Sequence, residues 1–448
     1  MRACSLRSVL VLSLSVAAWS ISARAADEAA PPAKLRPVAL RFHLGAGMPP
    51  DGTTADGTQV VTPQTIYERG RAYGYLPGLA PSADKPTVFA VEVPEGNYDV
   101  TLHFGTAERA TETTVKAEAR RLMLERVAVQ AGQTTTRTFT VNVRRPAIRD
   151  GAAVALNRRE QGPPVSPGWD ELLTLEFNGS APGVTAVEIR SAPDALTVYL
   201  AGDSTVTDQV KEPYAGWGQM LPRFFARGVA IANHAESGLA LSSFERQQRL
   251  QKILSVLKPG DYLFIQFGHN DQKDKSPKAG PFTSYKTQLK KFVAATRERR
   301  GLPVLVTPME RRRFDGDGRP VTTLADYAAA VREVGAEEDV PVIDLHARSL
   351  QLYAALGSER STQAFAFYPA GTFPGQTEEL KDNTHHNAYG GYELARCVVA
   401  GIKTAKLDLA RFLTEDAGDF DPSVPDARER LTLPISPSAG PTEKPAGD

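Results

Sequence analysis

A serine that directly follows an apolar run is the first residue in this sequence that could do chemistry. The run 196–200 leads into Gly202-Asp203-Ser204, and its length and composition predict a buried strand that ends just before the serine. Open α/β sheets bind ligands at the carboxyl ends of their strands, so the Ser204 hydroxyl could act there as a nucleophile. The alternative is that Asp203 or Ser204 only caps a following helix.

The partners that a nucleophilic serine requires occur together later in the chain. At neutral pH the hydroxyl needs an imidazole to take its proton and a carboxylate to orient that imidazole. Asp382 and His385 lie three residues apart in one short predicted turn, so the carboxylate can bond one ring nitrogen while the other faces the serine. His386 is the alternative base, and its expected role is that of a solvent-facing neighbour. The Asp/His pair could also be a cap of the predicted helix 387–405.

Two further segments could stabilise the negative charge of a tetrahedral intermediate. The predicted strand 262–267 ends before Gly-His-Asn270-Asp, which places the Asn270 side-chain NH₂ at the same sheet edge. Gly238 follows the predicted strand 229–233 and could bring its backbone N–H to the same oxygen, because glycine permits close approach. The alternatives are a polar turn held by Asx hydrogen bonds and an ordinary loop glycine.

The elements that must position these residues alternate between strand and helix after residue 194. Short apolar runs predict strands at 196–200, 229–233, 262–267, 304–307 and 340–343. Helical patterns occupy 215–227, 241–257, 283–300, 323–338 and 387–405. This alternation indicates a parallel sheet covered by helices on both faces, over residues 195–412.

The preceding residues, 37–191, have a different pattern. Seven strand-like runs are separated by Gly, Pro and Asn turns, at 38–44, 87–93, 98–104, 122–129, 136–143, 172–177 and 184–189. Helical periodicity is nearly absent, so we predict an all-β sandwich. This domain could bind sugar, with Tyr67, Tyr73 and Tyr75 as stacking platforms, or it could pack against the second half and shape its rim.

Both ends of the chain have a biased composition. Residues 1–25 combine Arg2 and Arg7 with an apolar run, 9–21, and an Ala-Arg-Ala sequence, which predicts a cleaved signal peptide and a secreted or periplasmic protein. The apolar run is too short to span a membrane, and no later segment is long enough. Residues 413–448 are rich in Pro, Ser, Asp and Glu, and we predict an unstructured tail.

Charge and cysteine content exclude several kinds of partner. The 52 basic and 52 acidic residues balance, and cleavage after residue 25 removes three arginines and no acid, so the net charge changes from 0 to −3. No basic surface is therefore expected, and nucleic acid is not an expected partner. Only Cys397 would remain, which excludes an internal disulfide and a zinc–cysteine site. We expect no metal or other cofactor, and the sequence does not set an oligomeric state.

The four candidate segments, in this order and at these spacings, resemble the blocks of the SGNH (GDSL-type) hydrolase family. The blocks are GDS, a glycine, GxND and DxxH, and the resemblance covers residues 195 to about 410. It implies a three-layer α/β/α flavodoxin-like fold. Within the family, Gly-Asp-Ser-Thr, Gly-Trp-Gly, Phe-Gly-His-Asn-Asp and Asp-Asn-Thr-His are similar to rhamnogalacturonan acetylesterases. The first half resembles the galactose-binding-like sandwiches that accompany some of these enzymes.

The resemblance also implies a role for each candidate residue. Ser204 would be the nucleophile, His385 the base and Asp382 its partner. The backbone amides of Ser204 and Gly238 and the side chain of Asn270 would form the oxyanion hole. The α/β-hydrolase fold is a poorer match, because the sequence lacks the second glycine of G-x-S-x-G.

The expected function is that of a secreted serine esterase that removes acetyl groups from a plant cell-wall polysaccharide, rhamnogalacturonan before others, through an acyl-enzyme. The alternatives are an esterase acting on another polymer such as xylan, and a non-catalytic carbohydrate-binding protein. Lys273 follows the Asn270 block, and Arg311, Arg312 and Arg313 follow the strand 304–307. These cations could bind galacturonate carboxylates, or they could be solvated loop charges.

Overall fold

In the three-dimensional structure, a computed structural model, the first half of the chain consists mainly of strands, and the second half alternates between strands and helices. It describes Met1 and residues 37–45, 57–82, 86–148, 151–161, 168–437 and 442–446. The predicted signal peptide, apart from Met1, lies outside the described residues. The residues from Pro37 to Asp448 form one compact unit.

The first half is a β-sandwich. Alternation along its strands places one face of each sheet in a shared core, as with Val100, Leu102 and Phe104. Within the described residues the strands are β1 (Ala39–Leu44), β2 (Thr58–Val61), β3 (Tyr73–Tyr75), β4 (Thr87–Glu92), β5 (Gly96–Phe104), β6 (Thr111–Ala117), β7 (Arg121–Val129), β8 (Thr135–Val143), β9 (Leu172–Ala181) and β10 (Val184–Ser191). The sheet orders are β2-β1-β10-β5-β8 and β3-β4-β9-β6-β7. The pairs are antiparallel except for β1 with β2.

Three of these strands, β2, β3 and β6, are absent from the sequence-based prediction. β6 has the sequence Thr-Glu-Thr-Thr-Val-Lys-Ala, which lacks the apolar alternation of a half-buried strand. It is nevertheless buried between β7 and β9, and the Lys116 ammonium lies 3.6 Å from the Glu176 carboxylate. Pairing of opposite charges inside the protein therefore replaces apolar alternation in this strand.

The second half contains a parallel sheet with the order β12-β11-β13-β14-β15. Its strands are β11 (Leu196–Gly202), β12 (Val229–Asn233), β13 (Tyr262–Gln266), β14 (Leu302–Val306) and β15 (Val342–Ile343). Counted within this half the order is 2-1-3-4-5, which is that of the flavodoxin-like fold. Alternate residues of β11 face two different cores, Val198 and Leu200 one and Tyr199 and Ala201 the other. The predicted α/β/α architecture is confirmed.

The helices cover both faces of this sheet. They are α1 (Trp217–Met220), α2 (Leu241–Arg246), α3 (Arg249–Val256), α4 (Lys286–Glu298), α5 (Ala325–Glu337), α6 (Leu345–Arg360) and α7 (Ala388–Thr404). α6 is absent from the prediction, because polar His346 and Ser349 interrupt the apolar pattern of its buried face. The predicted helix 241–257 is two helices, separated by Gln248 at φ 64°. None of the described helices is long and apolar enough to cross a membrane.

A hairpin of β16 (Phe365–Tyr368) and β17 (Leu380–His386) precedes α7. The residues after α7 are also ordered as far as Pro437, so the prediction of an unstructured tail is wrong for residues 413–437. Leu431 joins the core of the second half. The Lys116 ammonium donates to the Pro434 carbonyl and to the Ser436 hydroxyl, both at 2.6 Å. Composition did not reveal this segment because buried polar groups of the sandwich bind it.

Paired charges connect the sandwich to the second half. The Arg121 guanidinium lies 2.7 Å from the Asp208 carboxylate, and both side chains are almost fully buried. Lys252, also buried, lies 2.6 Å from Glu95. A buried charge is tolerated only when it is paired and hydrogen-bonded. Each half therefore supplies charged side chains that neutralise buried charges of the other half.

Glu118, in the turn between β6 and β7, gives the sandwich a pH-dependent stability. Its carboxylate accepts a hydrogen bond from the Thr174 amide at 3.1 Å, and burial raises its pKa to about 7. A carboxyl group whose pKa is raised by folding is buried in its neutral form, without an electrostatic penalty, when the pH is below the pKa that it has in the unfolded chain. Its contribution to stability is then lost as the pH rises through about 7.

We therefore expect Glu118→Gln, which keeps the accepting oxygen, to be more stable than the wild type at alkaline pH. The midpoint of thermal unfolding should rise by a few degrees at about pH 8 and should hardly differ at about pH 5. Calorimetry at the two pH values measures this difference. An equal shift at both values would contradict the assigned pKa.

Candidate active site

The three residues of the predicted triad meet at the carboxyl edge of the parallel sheet. Ser204 follows β11, and Asp382 and His385 lie on β17. The His385 Nε2 is 2.9 Å from the Ser204 Oγ, and the His385 Nδ1 is 2.8 Å from the Asp382 Oδ2. All three side chains are buried. The geometry is that of a hydroxyl prepared to lose its proton to an imidazole held by a carboxylate.

The local structure around Asp382 differs from the predicted turn. Pairing of β17 with β16 passes from Lys381 directly to His386, so residues 382–385 bulge out of the strand. The Asp382 Oδ1 accepts hydrogen bonds from the amides of Thr384 at 2.8 Å and His385 at 2.9 Å. These Asx-type bonds close the bulge, which leaves Oδ2 for the imidazole.

The charge of Asp382 is stabilised by the same contacts. Burial by itself would raise the pKa of this carboxyl. The hydrogen bond and charge of the His385 side chain, together with the two backbone amides, outweigh burial and hold the pKa below its ordinary value. An ionised carboxylate is the state that stabilises a protonated imidazole.

His386 is not the solvent-facing neighbour that the sequence suggested. It is buried, its Nε2 lies 2.9 Å from the Tyr353 hydroxyl, and its ring centroid lies 4.2 Å from that of Phe365. Burial lowers the pKa of His386 to about 3. The ring therefore belongs to the core, and its Nε2 is bound to Tyr353.

The expected oxyanion donors are held next to one another by side-chain hydrogen bonds. The Asn270 Nδ2 donates to the Leu239 carbonyl at 3.1 Å, beside Gly238. The Gln209 Nε2 donates both to the Ser204 carbonyl at 2.8 Å and to the Ser237 hydroxyl at 3.2 Å. Within the part of the chain that the structure describes, neither the Ser204 amide nor the Gly238 amide donates a hydrogen bond. Both N–H groups are thus unengaged beside the serine loop.

Comparison with known proteins agrees with this geometry. Residues 200–390 match the GDSL-like lipase/acylhydrolase family. Rhamnogalacturonan acetylesterase RhgT of Bacillus subtilis (strain 168) is 41% identical over 225 residues, which are 50% of this chain and 96% of that protein. The chain belongs to the GDSL-like lipase/acylhydrolase family. It is accordingly an esterase, a hydrolase of carboxylic esters.

One relative of this GDSL-family esterase extends over both halves. The uncharacterized esterase YxiM of Bacillus subtilis (strain 168) is 25% identical over 397 residues, which are 82% of this chain and 91% of that protein. The crystal structure of the same protein covers 83% of this chain and 99% of its own, with 22% identity and a TM-score of 0.44.

A hydrogen-bond network next to Ser204 explains the Gly-Asp-Ser-Thr and Gly-Trp-Gly sequences of the esterase. The Thr205 hydroxyl donates to the Asp203 carboxylate at 2.7 Å and accepts from the Gln266 Nε2 at 2.7 Å. The Trp217 indole donates to the Gln266 oxygen at 2.7 Å. A methyl group built on Gly218 would lie 2.4 Å from a backbone oxygen of the serine loop. The Gly-Trp-Gly sequence therefore allows close packing beneath the nucleophile.

The sandwich supplies one residue to this site that the sequence did not reveal. The Arg120 Nη1 donates to the carbonyls of Gln209 at 2.8 Å and Tyr214 at 3.1 Å, and its Nη2 lies 2.6 Å from Glu212. Tyr214 in turn packs edge-on against the His385 ring, with centroids 6.0 Å apart. Arg120 therefore fixes the loop that contacts both the serine and the base. No local pattern predicts it, because it lies in the other domain.

The four predicted substrate-binding cations occupy different environments. The Arg312 guanidinium donates to the Asn383 oxygen at 2.9 Å and to the Ser361 hydroxyl at 3.0 Å, so it supports the bulge beside Asp382. The Lys273 ammonium donates to the Asn270 Oδ1 at 3.4 Å, which orients the amide. The Arg311 guanidinium reaches the His269 carbonyl, and Arg313 is exposed. Substrate contact by these four residues, Arg311, Arg312, Arg313 and Lys273, stays a prediction.

The contacts of Arg120 lead to a test by Arg120→Lys, which keeps the charge next to Glu212. Lysine cannot reproduce the planar fork that binds two carbonyls. We expect kcat to fall about tenfold, a loss of about 1.4 kcal/mol, with little change in KM. Steady-state kinetics well below the unfolding temperature measure this.

Arg126→Lys is the matched control, since Arg126 lies on the neighbouring strand β7 in an exposed pair with Glu112. It should retain wild-type kinetics. An unchanged kcat in Arg120→Lys would mean that Arg120 does not position the site.

Proposed function

We propose that this esterase removes acetyl groups from an acetylated polysaccharide, rhamnogalacturonan before others, through an acyl-enzyme on Ser204. The observation that carries the proposal is the continuous series from Asp382 through His385 to Ser204, with contacts of 2.8 and 2.9 Å. Such a series activates a serine hydroxyl at neutral pH without a metal or cofactor.

In the first step His385 Nε2 takes the proton of the Ser204 hydroxyl while the oxygen attacks the acetyl carbonyl carbon. Asp382 stabilises the imidazolium that forms. The negative charge on the former carbonyl oxygen is held by the amides of Ser204 and Gly238 and by the Asn270 side chain. This charge exists only in the intermediate, so these donors act mainly on the transition state.

The intermediate then collapses and breaks the bond to the sugar oxygen. His385 gives its proton to that oxygen, and the deacetylated sugar leaves Ser204 acetylated. Water attacks the acetyl-serine with His385 again as the base, which releases acetate and restores the hydroxyl.

The substrate class rests on two supports. One relative, 41% identical over nearly its whole length, is described as a rhamnogalacturonan acetylesterase. Arg313 and Lys273 provide cations that suit an acidic polymer backbone.

We also propose that residues 1–25 direct export of the protein to the outside of the cytoplasm, where such polymers occur, and that they are cleaved off after Ala25. Amino-terminal sequencing of the protein recovered outside the cytoplasm tests this cleavage.

The triad and the oxyanion hole are tested by Ser204→Ala and Asn270→Ala. We expect the serine variant to lose several orders of magnitude in activity towards p-nitrophenyl acetate, because the variant lacks the hydroxyl that is bound to the His385 Nε2. The asparagine variant should lose about a hundredfold to a thousandfold in kcat. Ser255→Ala is the control, since the Ser255 hydroxyl donates to a carbonyl of its own helix.

The same proteins, assayed for acetate release from polymers at matched salt, test the substrate class. Release from acetylated rhamnogalacturonan but not from acetylated xylan, abolished in Ser204→Ala, is the expected result. Equal release from both polymers would discard the pectic assignment and keep the esterase. Near-complete activity in Ser204→Ala would discard the nucleophile.

A further inference from the structure

The nucleophile is covered in this structure. Ser204 and His385 are each only 2% exposed, although an ester carbonyl must contact the serine oxygen for the proposed reaction. A polymeric substrate cannot enter such a site unless a covering group moves.

A short segment near the carboxyl terminus lies on this site. The Lys444 ammonium is 3.8 Å from the Asp382 Oδ2, the oxygen that binds the imidazole. A methyl group built on Gly238, an expected oxyanion donor, would lie 3.2 Å from the Ala446 Cβ. Pro445, between these two contacts, is buried. The segment thus extends from the carboxylate of the triad to the oxyanion loop.

The segment is attached to the protein at its other end. The Thr442 hydroxyl donates to the Glu212 carbonyl at 3.1 Å, and the Ser436 amide donates to the Glu212 carboxylate at 3.3 Å. Ser436 itself is held by Lys116 of the sandwich. Glu212 also binds Arg120. The attachment therefore uses the same loop that positions Ser204 and His385.

We propose that residues Thr442–Ala446 form an autoinhibitory strap that occupies the acyl site of their own molecule, a proposal that rests on the esterase site described above. The strap needs only weak contacts, because its attachment at Glu212 keeps its effective concentration at the site high. Lys444 is half exposed, and its pair with Asp382 is one that salt weakens. Substrate binds only to molecules whose strap is released.

This arrangement predicts a particular kinetic pattern. If one molecule in about ten is open, the apparent KM is about tenfold above that of the open enzyme, while kcat at saturation is unchanged. Removing the strap should therefore lower KM and raise kcat/KM, whereas damage to a site lowers kcat/KM.

The experiment measures kcat and KM for uncharged p-nitrophenyl acetate in the full-length protein and three variants. Lys444→Glu reverses the charge next to Asp382, and a chain that lacks residues 442–448 has no strap contacts. Lys291→Glu is the control, because Lys291 lies on the exposed side of α4. Both strap variants should show kcat/KM raised about tenfold through KM, and the control should match the wild type.

Salt provides an independent measurement. Raising the salt from about 0.05 M to about 1 M should increase kcat/KM of the wild type and leave the truncated chain unchanged, because the truncated chain has no Lys444 pair to screen. If kcat/KM is unchanged or lowered in both strap variants while the wild type is active, the strap proposal is wrong and the serine assignment is unaffected. Absence of ester hydrolysis in all four proteins would overturn the serine assignment and the strap with it.

Discussion

The ion pair between Arg121 and Asp208 connects the two halves of the molecule at the point where the active site begins. Its atoms are 2.7 Å apart and almost fully buried. Asp208 also accepts a hydrogen bond from Asn233, at the end of β12, at 2.8 Å, while Arg121 donates to a carbonyl of β8 at 2.9 Å. Removing one member of such a pair leaves an uncompensated charge and costs about 3 to 5 kcal/mol. The loop after Ser204 is therefore held in place by the sandwich.

This dependence gives the amino-terminal domain a structural role in the second half of the molecule. The sequence left open whether the sandwich binds sugar or supports the second half. Tyr75 is buried in the core, the Tyr67 hydroxyl donates to Glu92 at 2.7 Å, and the Tyr73 hydroxyl donates to Gln59 at 3.1 Å. These tyrosines are engaged within the domain, and Arg120 contributes to the site directly. The sandwich is thus a structural part of the esterase site.

The sequence was sufficient to locate the serine, the aspartate and the histidine that the structure brings together, and the sheet that carries the serine. A local sequence pattern reveals positions that follow the end of a strand or precede a helix, and these positions include Ser204, Asn270, Asp382 and His385. Arg120 and Gln209 could not be predicted, since their role depends on a contact between domains and a bond back to the serine carbonyl. His386 was misjudged because the sequence does not show that Tyr353 and Phe365 enclose it. The segment 413–437 has the composition of a disordered tail, yet buried polar groups of the sandwich bind it.

We propose above all that Ser204 becomes covalently acetylated during turnover. The most direct test is to mix the protein with p-nitrophenyl acetate, quench with acid within the first turnover and locate any acetyl group by mass spectrometry of peptides. We expect one acetyl group, on the peptide that contains Ser204, and we expect it to form at the same rate as a burst of p-nitrophenol. Acetate release at the normal rate with no modified Ser204, or with the acetyl group on another residue, would contradict it.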